Sequence, residues 1–443
     1  MKRIVLAGLL AAAMGVSAIP QPEWFESGVI YQISLRTFTR GGDFRSATEM
    51  LPFVASTGAN IVYLTPFVEM DTDMDRAGWS KRQIASGFET PKNPYRISDY
   101  TKVDPEYGTE KDLKAFVDRA HELGLKVMFD LIYLHAGPNN AIVRSVPDGF
   151  AKNPDGSVKT TEWNFPYVNY ESQAAREYLY ANMTHFVKDI GCDAFRCDVG
   201  DGVPEDFWYE GFRRMREIKP DFVGLNEGLK TNYVQRAFNA NYSWDWSYAM
   251  REAVSARPDR WSLAKRIKDR LAYEASCPAD ALMAVFVENH DVATDSAANR
   301  LDAKLPVEAG NAAFAALFLT RGVPVIWNGN EIADHREVSF FGPVEHPNRC
   351  AKTVDWGQAL TERGMKRLQA IRELARLRRE VPAFAHGTMT FVANTCPARV
   401  LTFVRTAPDG TRVLVAVNLS SASAAFKVGN ESFDLDPWQY EIR

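Results

Sequence analysis

The sequence predicts an α/β protein: a (β/α)8 TIM barrel with a short subdomain after strand 3 and a C-terminal antiparallel β domain. Three observations carry that expectation. Short apolar runs alternate with helix-period segments for most of the length, which is the signature of βα units around a parallel sheet. The runs number eight, enough to close such a sheet into a barrel whose site lies at the C-terminal strand ends. After about Val381 the helical period gives way to period-two runs separated by turns such as Pro408-Asp409-Gly410.

Taken in order, the chain opens with Lys2 and Arg3, the apolar run Ile4 to Val16 and the small-residue site Val16-Ser17-Ala18. Residues 1–18 read as a secretory signal cleaved after Ala18, so the expected location is secreted or periplasmic. The alternative, a membrane anchor, needs roughly 20 apolar residues and the run is shorter. Strands are expected at Val29 to Ile33, Ile61 to Leu64, Val127 to Leu131, Ala194 to Cys197, Phe222 to Leu225, Asn241 to Trp246, Ala284 to Val287 and Val325 to Trp327. Helical patterns lie between them, at Glu110 to Leu123, Gln173 to Ile190, Phe207 to Lys219, Trp261 to Ala275, Asn311 to Leu319 and Glu362 to Arg379. The barrel is thus assigned to 19–135 and 171–380. Residues 136–170 turn rich in Asn, Pro, Gly and aromatics and form a short inserted subdomain overhanging the active face. Residues 381–443 form a β-sandwich, with strands at Thr390 to Val392, Val400 to Arg405, Arg412 to Asn418 and Ser432 to Leu435.

The composition narrows the function classes. At 443 residues, 46% hydrophobic and 12% aromatic, the chain has ample material for a large core, and a net charge of -4 argues against nucleic acid or an anionic membrane as partner. No later apolar stretch is long enough to span a bilayer. Five cysteines are too few and scattered for a disulfide framework, and none has zinc-site spacing. Their odd number leaves at least one free thiol or an intermolecular bond. Cys192 and Cys197 are expected to be small buried apolar residues.

Carboxylates recur where strands should end. The third strand ends in the stretch Asp130 to His135, the fourth at Arg196 and Asp198, the fifth at Asn226-Glu227 and the seventh at Glu288-Asn289-His290-Asp291. Strand side chains alternate, so Arg196 and Asp198 face the same way, and the guanidinium favours an ionised, oriented aspartate. Any one of these residues could be a helix cap or a structural ion pair. Together they converge like charges on one face, which raises the free energy of folding unless the cluster has a task.

Asp130 to His135, Phe195-Arg196-Cys197-Asp198, Leu225-Asn226-Glu227 and Asn289-His290-Asp291 resemble, in order and by strand, the four signatures of the α-amylase family of glycoside hydrolases (family 13). Flanking stretches agree: Val29 to Gln32, Ile61 to Pro66, and Tyr95 to Tyr100 leading to Asp104-Pro105. The resemblance implies that Asp198 is the nucleophile, Glu227 the general acid and base, and Asp291 the transition-state stabiliser. It gives Asp130, His135, Arg196 and His290 to substrate binding and makes Tyr95 the aromatic stacked on the sugar. Retaining hydrolysis needs two carboxyls about 5 Å apart, one ionised and one protonated. Arg196 would keep Asp198 ionised, and neighbouring charges would keep the proton on Glu227. The implied substrate is an α-glucan, starch-like or a malto-oligosaccharide, with no organic cofactor.

Two departures stand out. Leu134 occupies the place of an asparagine that ligates calcium in many relatives, so structural calcium does not carry over. Asp201 and Gly202 stand where a sugar-contacting lysine and histidine are common, so substrate preference does not carry over either. Asp71, Asp73 and Asp75 alternate as in oxygen-ligand calcium loops, or as a solvated acidic turn. Trp79, Phe88, Trp163, Phe165, Tyr167, Trp208, Trp244 and Trp246 crowd the predicted loops, either to stack sugars or to pack the loops together. A transglycosylase using the same residues and a non-catalytic glucan-binding protein are the alternatives to a hydrolase. Linkage, endo or exo attack and oligomeric state are not legible.

Overall fold

Eight parallel strands, hydrogen-bonded into a ring, form the centre of the computed structural model. It describes residues 19–255, 263–278, 281–294, 300–339, 341–342 and 353–443; the expected signal at 1–18, Trp261 and Cys350 lie outside the described residues. The strands are β1 (Ile30–Ile33), β2 (Ile61–Leu64), β3 (Lys126–Leu131), β4 (Ala194–Cys197), β5 (Val223–Asn226), β6 (Ala240–Ser243), β7 (Leu282–Phe286) and β8 (Val323–Trp327). They close in the order β1-β8-β7-β6-β5-β4-β3-β2, with Ile30 registered against both Ile61 and Val325. Strands buried on both faces read as unbroken apolar runs, which is why the short runs marked them so well. One set of side chains, among them Ile30, Ile61, Met128, Val223, Leu225 and Phe286, fills the barrel interior. The other set, including Val62, Phe129 and Phe195, packs outward on the helices.

Those helices are α1 (Phe44–Ser56), α2 (Glu110–Glu122), α3 (Gln173–His185), α4 (Glu205–Ile218), α5 (Thr231–Arg236), α6 (Trp244–Val254), α7 (Leu263–Glu274), α8 (Val307–Leu319) and α9 (Glu362–Glu380). Side-chain caps set their starts: Asp43 accepts from Ser46 N, and Thr109 with Asp112 forms a capping box. Two of the expected elements differ. The sixth strand stops at Ser243 and Trp244 opens α6, so the aromatic run Trp244 to Trp246 is helical. The helix expected to run to Ile190 is α-helical only to His185 and finishes as a wide turn over Phe186–Ile190. There Gly191, at φ 98, and Cys192 both donate to the Phe186 carbonyl at 3.0 Å.

Excursions rise from the C-terminal strand ends. After β2, Val68–Met70 pairs antiparallel with Ile97–Val103, a ladder the sequence pattern did not suggest. After β3, residues 136–170 contribute the helical turn Ile142–Ser145 and isolated bridges such as His135 with Tyr167 and Phe150 with Val168. Beyond α9 come β9 (Thr388–Phe391), β10 (Val400–Thr406), β11 (Arg412–Asn418), β12 (Ala424–Val428), β13 (Glu431–Leu435) and β14 (Tyr440–Ile442). They form a sheet β9-β10-β11-β14 and a hairpin β12-β13, with Val400, Ala416, Ala424, Phe426, Phe433 and Leu435 clustered together.

A buried arginine on β10 ties this sheet to the barrel, and a second on α9 meets the same end of α8, neither bonded to a carboxylate side chain. Arg405 on β10 donates to the carbonyls of Leu319 (2.9 Å), Thr320 (2.7 Å), Phe384 (3.0 Å) and Gly387 (2.9 Å). Arg378 on α9 donates to Gly28 O (3.0 Å), Glu26 O (2.8 Å) and Phe318 O (3.2 Å). Together they satisfy the open carbonyls at the end of α8, where cations are also favoured by the helix dipole. Burial lowers Arg378 to about 10 and Arg405 to about 9. A second buried polar contact joins β1 to the turn after β8. Tyr31 Oη donates to Glu331 Oε1 at 2.7 Å and Gly329 N to Oε2 at 3.0 Å, while burial raises the Glu331 carboxyl to about 7. Cys192, Cys197, Cys277 and Cys396 are unpaired thiols, the first two buried as expected.

Candidate active site

Arg196 organises the mouth of the barrel. It is fully buried, with its guanidinium 5.5 Å from the Tyr242 ring centre. Its Nη1 donates to Asp130 Oδ1 (2.7 Å) and Asp198 Oδ1 (3.0 Å), and its Nη2 lies 2.6 Å from Glu227 Oε2. One planar fork thereby gathers carboxyls from the ends of β3, β4 and β5. Directly after Asp198 the chain turns through Val199, a β-branched residue at φ 42, a strained conformation of the kind found where geometry is imposed by function. The turn aims Val199 N–H at Glu227 Oε2 (2.9 Å) and Gly200 N–H at the Glu227 carbonyl (3.1 Å). Gly200 is needed there, because a Cβ would stand 2.1 Å from Asn226 Oδ1.

The other half of the site comes from β1, β2 and β7. Gln32 Nε2 donates to His290 Nδ1 at 2.8 Å, which leaves the ring proton on Nε2, 2.6 Å from Tyr95 Oη. Tyr63 and Tyr95 both donate to Asp130 Oδ2, at 2.7 Å and 3.3 Å. Tyr95 lies nearly parallel to the His290 ring, 5.5 Å between centres. Burial lowers His290 to about 4, so the ring is neutral near pH 7. Asp291 sits on the helical turn His290–Thr294, where Arg82 Nη1 meets its Oδ1 at 2.5 Å and Arg82 Nη2 its backbone carbonyl at 2.8 Å. Burial works against ionisation of Asp291, but the His290 ring and the Arg82 guanidinium hold its carboxyl below the usual range.

Asp198 behaves differently from the expectation that Arg196 keeps it ionised. Burial pushes its carboxyl well above the usual range, and Glu227, Asp130 and Asp291 add to that against the pull of Arg196. Burial likewise raises Asp130 to about 6, against Arg196 and Tyr63. A single guanidinium divided between Asp130 and Asp198 does not offset the burial of either carboxyl.

A cavity of about 200 Å³ opens above these groups. Six of the eight sequence-identified residues line it: Tyr95, His135, Asp198, Glu227, His290 and Asp291. Asp130 and Arg196 are instead 5% and 0% exposed and lie beneath the cavity as its floor, so they position the groups above rather than line it. Both ring nitrogens of His135 are buried without a hydrogen-bond partner, and burial lowers the ring to about 4. The ring stacks on Phe165 (5.0 Å, 9°) and borders the cavity, where a ligand hydroxyl would satisfy it.

The remaining lining comes from residues that sequence reasoning did not assign to the site. Ser80, Arg82 and Asn93 come from the excursion after β2, Phe341 from the one after β8, Trp163 with Phe165 from the segment after β3, and Val199 from the turn after β4. Of the loop aromatics, Trp79, Trp208 and Trp246 are buried packing residues. Gln32 and Tyr63 carried a signal, since each is a polar-tipped residue two positions from an interior apolar one on its strand. Arg82 carried none.

Neither place considered for calcium fits the ion. Leu134 is 5% exposed and packs on Gly202, where a Cβ would come within 2.8 Å of its Cδ1, so the contact is apolar and supplies no oxygen ligand. Asp201 turns toward the loop after β5 and accepts from Asn226 Nδ2 (2.9 Å), Leu229 N (2.7 Å) and Lys230 N (3.1 Å). Asp71, Asp73 and Asp75 alternate because each closes a local turn, accepting from Asp73 N (2.8 Å), Asp75 N (2.9 Å) and Ala77 N (3.0 Å) in succession. Asp71, fully buried, also accepts from Asn139 N (2.9 Å) and lies 3.6 Å from Arg96 Nη2, pinning the two excursions together. Among the described residues no group of three or more His, Cys, Asp or Glu is arranged to hold a metal. Nor is any helix there long and apolar enough to cross a membrane.

Comparison with known proteins gives consistent results. A sequence profile of the alpha-amylase catalytic domain matches residues 21–165 and 157–370, most of the chain. An alpha-amylase of Haloarcula japonica is 26% identical over 325 residues, which is 70% of this chain but 45% of the relative, so the chain spans under half of that protein. A cyclomaltodextrinase of a Bacillus species is 23% identical over 466 residues, covering 92% of this chain and 75% of the relative. Among solved structures, a noncanonic maltogenic alpha-amylase from Thermotoga neapolitana superposes with a TM-score of 0.77 at 25% identity, covering 90% of this chain and 88% of the other.

Proposed function

Because the chain belongs to the alpha-amylase family, we propose that it is an exported retaining glycosidase, secreted or periplasmic, that hydrolyses α-glucosidic bonds in starch-like polysaccharides or malto-oligosaccharides. The observation that carries the reading is the convergence of Asp198, Glu227 and Asp291, from three strand ends, on one cavity whose floor is a shared guanidinium. Bridging by one arginine favours the close carboxyl spacing, about 5 Å, of a retaining mechanism.

In this reading Asp198 attacks the anomeric carbon as the glycosidic C–O bond breaks, and Glu227 gives its proton to the departing oxygen. Water then attacks the glycosyl ester, Glu227 takes the water proton, and Asp198 is released with the α configuration restored. Val199 N–H keeps Glu227 aimed, and Arg196 stabilises Asp198 as leaving carboxylate. Asp291, held ionised, faces the positive charge that develops on the ring. The neutral ring of His135 offers its N–H to a sugar hydroxyl, while His290 spends its own on the Tyr95 hydroxyl and so holds the tyrosine whose face is offered to the sugar.

The test is to incubate the protein with maltoheptaose, pullulan and isomaltose and follow product lengths and anomers by chromatography and NMR. Initial release of α-anomers, absent in Asp198→Asn and in Glu227→Gln, is expected. Full turnover in either variant sinks the assignment, and products longer than the substrate would shift it to transglycosylation.

A further inference from the structure

We propose that Asp201 is the positioning residue for Glu227, clamping the chain on both sides of it so that its carboxyl is presented to the cavity in one direction. The inference rests on the reading of Glu227 as general acid and base.

Glu227 stands one residue past the end of β5. Its N–H donates to the Cys197 carbonyl and its own carbonyl accepts from Gly200 N–H, each at 3.1 Å. From there the chain leaves the barrel through Gly228, Leu229 and Lys230 before α5 begins, and Asp201 holds that exit. Its Oδ2 accepts from the N–H groups of Leu229 (2.7 Å) and Lys230 (3.1 Å), and its Oδ1 accepts from Asn226 Nδ2 (2.9 Å). One carboxylate thus fixes the residue before Glu227 and two that follow it. The grip is returned, because Lys230 Nζ donates to the Asp201 backbone carbonyl at 2.7 Å. Gly228 lies between, and a Cβ there would stand 2.2 Å from Asp201 Oδ1 and 2.6 Å from Asn226 Nδ2, so the carboxylate rests against bare backbone.

Both jaws of the clamp are anchored. Asn226 is fully buried and also donates from Nδ2 to Asn241 Oδ1 on β6 at 2.9 Å, while Asn241 donates in turn to the Tyr273 hydroxyl. Asp201 itself belongs to the turn Gly200–Gly202, whose Gly200 carbonyl accepts from Nε1 of the buried Trp208 at 3.0 Å. The turn after Asp198 and the loop after Glu227 are therefore joined into one body. Asp201 lies outside the cavity lining and acts through Glu227.

Proton delivery needs the carboxyl within hydrogen-bond reach of the departing oxygen and correctly directed. Arg196 and Val199 N–H both bind Oε2 of Glu227, so the aim of Oε1 depends on the backbone that Asp201 holds. A shift of about 1 Å in such a group costs on the order of a hundredfold in rate.

The experiment compares two substrates that differ in their need for Glu227. Maltoheptaose needs it in both steps, to protonate the departing oxygen and to deprotonate water. The second is whichever of α-glucosyl, α-maltosyl and α-maltotriosyl fluoride the wild type consumes fastest, supplied with azide. There the C–F bond breaks as Asp198 forms the ester, and fluoride leaves as an anion without a proton. Azide then displaces Asp198 from the anomeric carbon and brings no proton to remove. Asp201→Ala is expected to lower kcat on maltoheptaose about thirtyfold or more with little change in KM, and to leave glycosyl azide formation within about threefold of wild type. Asp201→Asn, which keeps one acceptor oxygen, should show a smaller loss with the same contrast; if the alanine variant lacks a cooperative melt, the asparagine variant decides. Equal losses on the two substrates, or no loss on maltoheptaose, overturn the positioning role and leave the hydrolase reading standing. Absence of the contrast in Glu227→Gln, or a wild type inert toward both substrates, overturns the reading of Glu227 and the inference with it.

Discussion

Replacing Glu331 by glutamine should stabilise the protein in a way that depends on pH. The carboxyl is fully buried, takes one hydrogen bond from Tyr31 and one from Gly329 N, and has a pKa raised by burial from 4.5 to about 7. Below pH 4.5 the acid is neutral in both folded and unfolded chains and makes no difference to their balance. Between pH 4.5 and 7 the unfolded chain has ionised while the folded one still holds its proton. Stability is therefore lost as pH rises through this window and stays lost above it. At about 1.4 kcal/mol per pH unit, the raised value corresponds to roughly 3 kcal/mol of destabilisation by pH 8. Glutamine keeps the shape, and its amide can donate to the Tyr31 hydroxyl while its oxygen accepts from Gly329 N–H. Denaturant unfolding of both proteins at pH 5, 6, 7 and 8 should show a small difference at pH 5 that grows toward about 3 kcal/mol at pH 8 in favour of Glu331→Gln. A difference that stays constant with pH would refute the assignment of the titration to Glu331.

Two further expectations follow from the excursions above the barrel. Asp71→Ala leaves Arg96 buried without its carboxylate and frees Asn139 N–H, so it should cost about 3 to 5 kcal/mol in a denaturant melt; a cost under about 1 kcal/mol would mean the pair is not a pin. Because Leu134 packs on Gly202 and the aspartates at 71 to 75 spend themselves on local turns, neither chelation with EDTA nor added calcium should move the melting temperature; a rise of several degrees with calcium would contradict the apolar reading.

Sequence pattern was most informative where burial on both sides forced a continuous apolar run. β4 occupies the expected residues, and Arg196 and Asp198 share a face because strand alternation leaves no other choice. The sixth strand was overextended because Trp244 and Trp246 favour strands as readily as they pack on a helix, and contact of Trp244 with Phe286 and Tyr248 decided for the helix. β12 and β14 were missed for lack of a long apolar run, since β12 alternates buried and exposed residues and β14 has only three half-buried ones. In the site, the carboxylates and histidines announced themselves through strand-end position and ordered motifs. Asp130 and Arg196 announced themselves too, but not that they would lie under the cavity, because depth along a barrel axis is set by the shear of all eight strands. Arg82 and Phe341 come from excursions whose path is fixed only by tertiary contacts, and a lone arginine in a polar turn has no local signature.

The arginine clamps at the end of α8 have a consequence for how the protein is made. The carbonyls of Leu319 and Thr320 wait for a guanidinium that lies 85 or 86 residues further along the chain. Until Arg405 has emerged from the ribosome and β10 has formed, Arg378 alone serves the last turn of α8, so the full set of donors to these carbonyls is complete only at the final stage of synthesis.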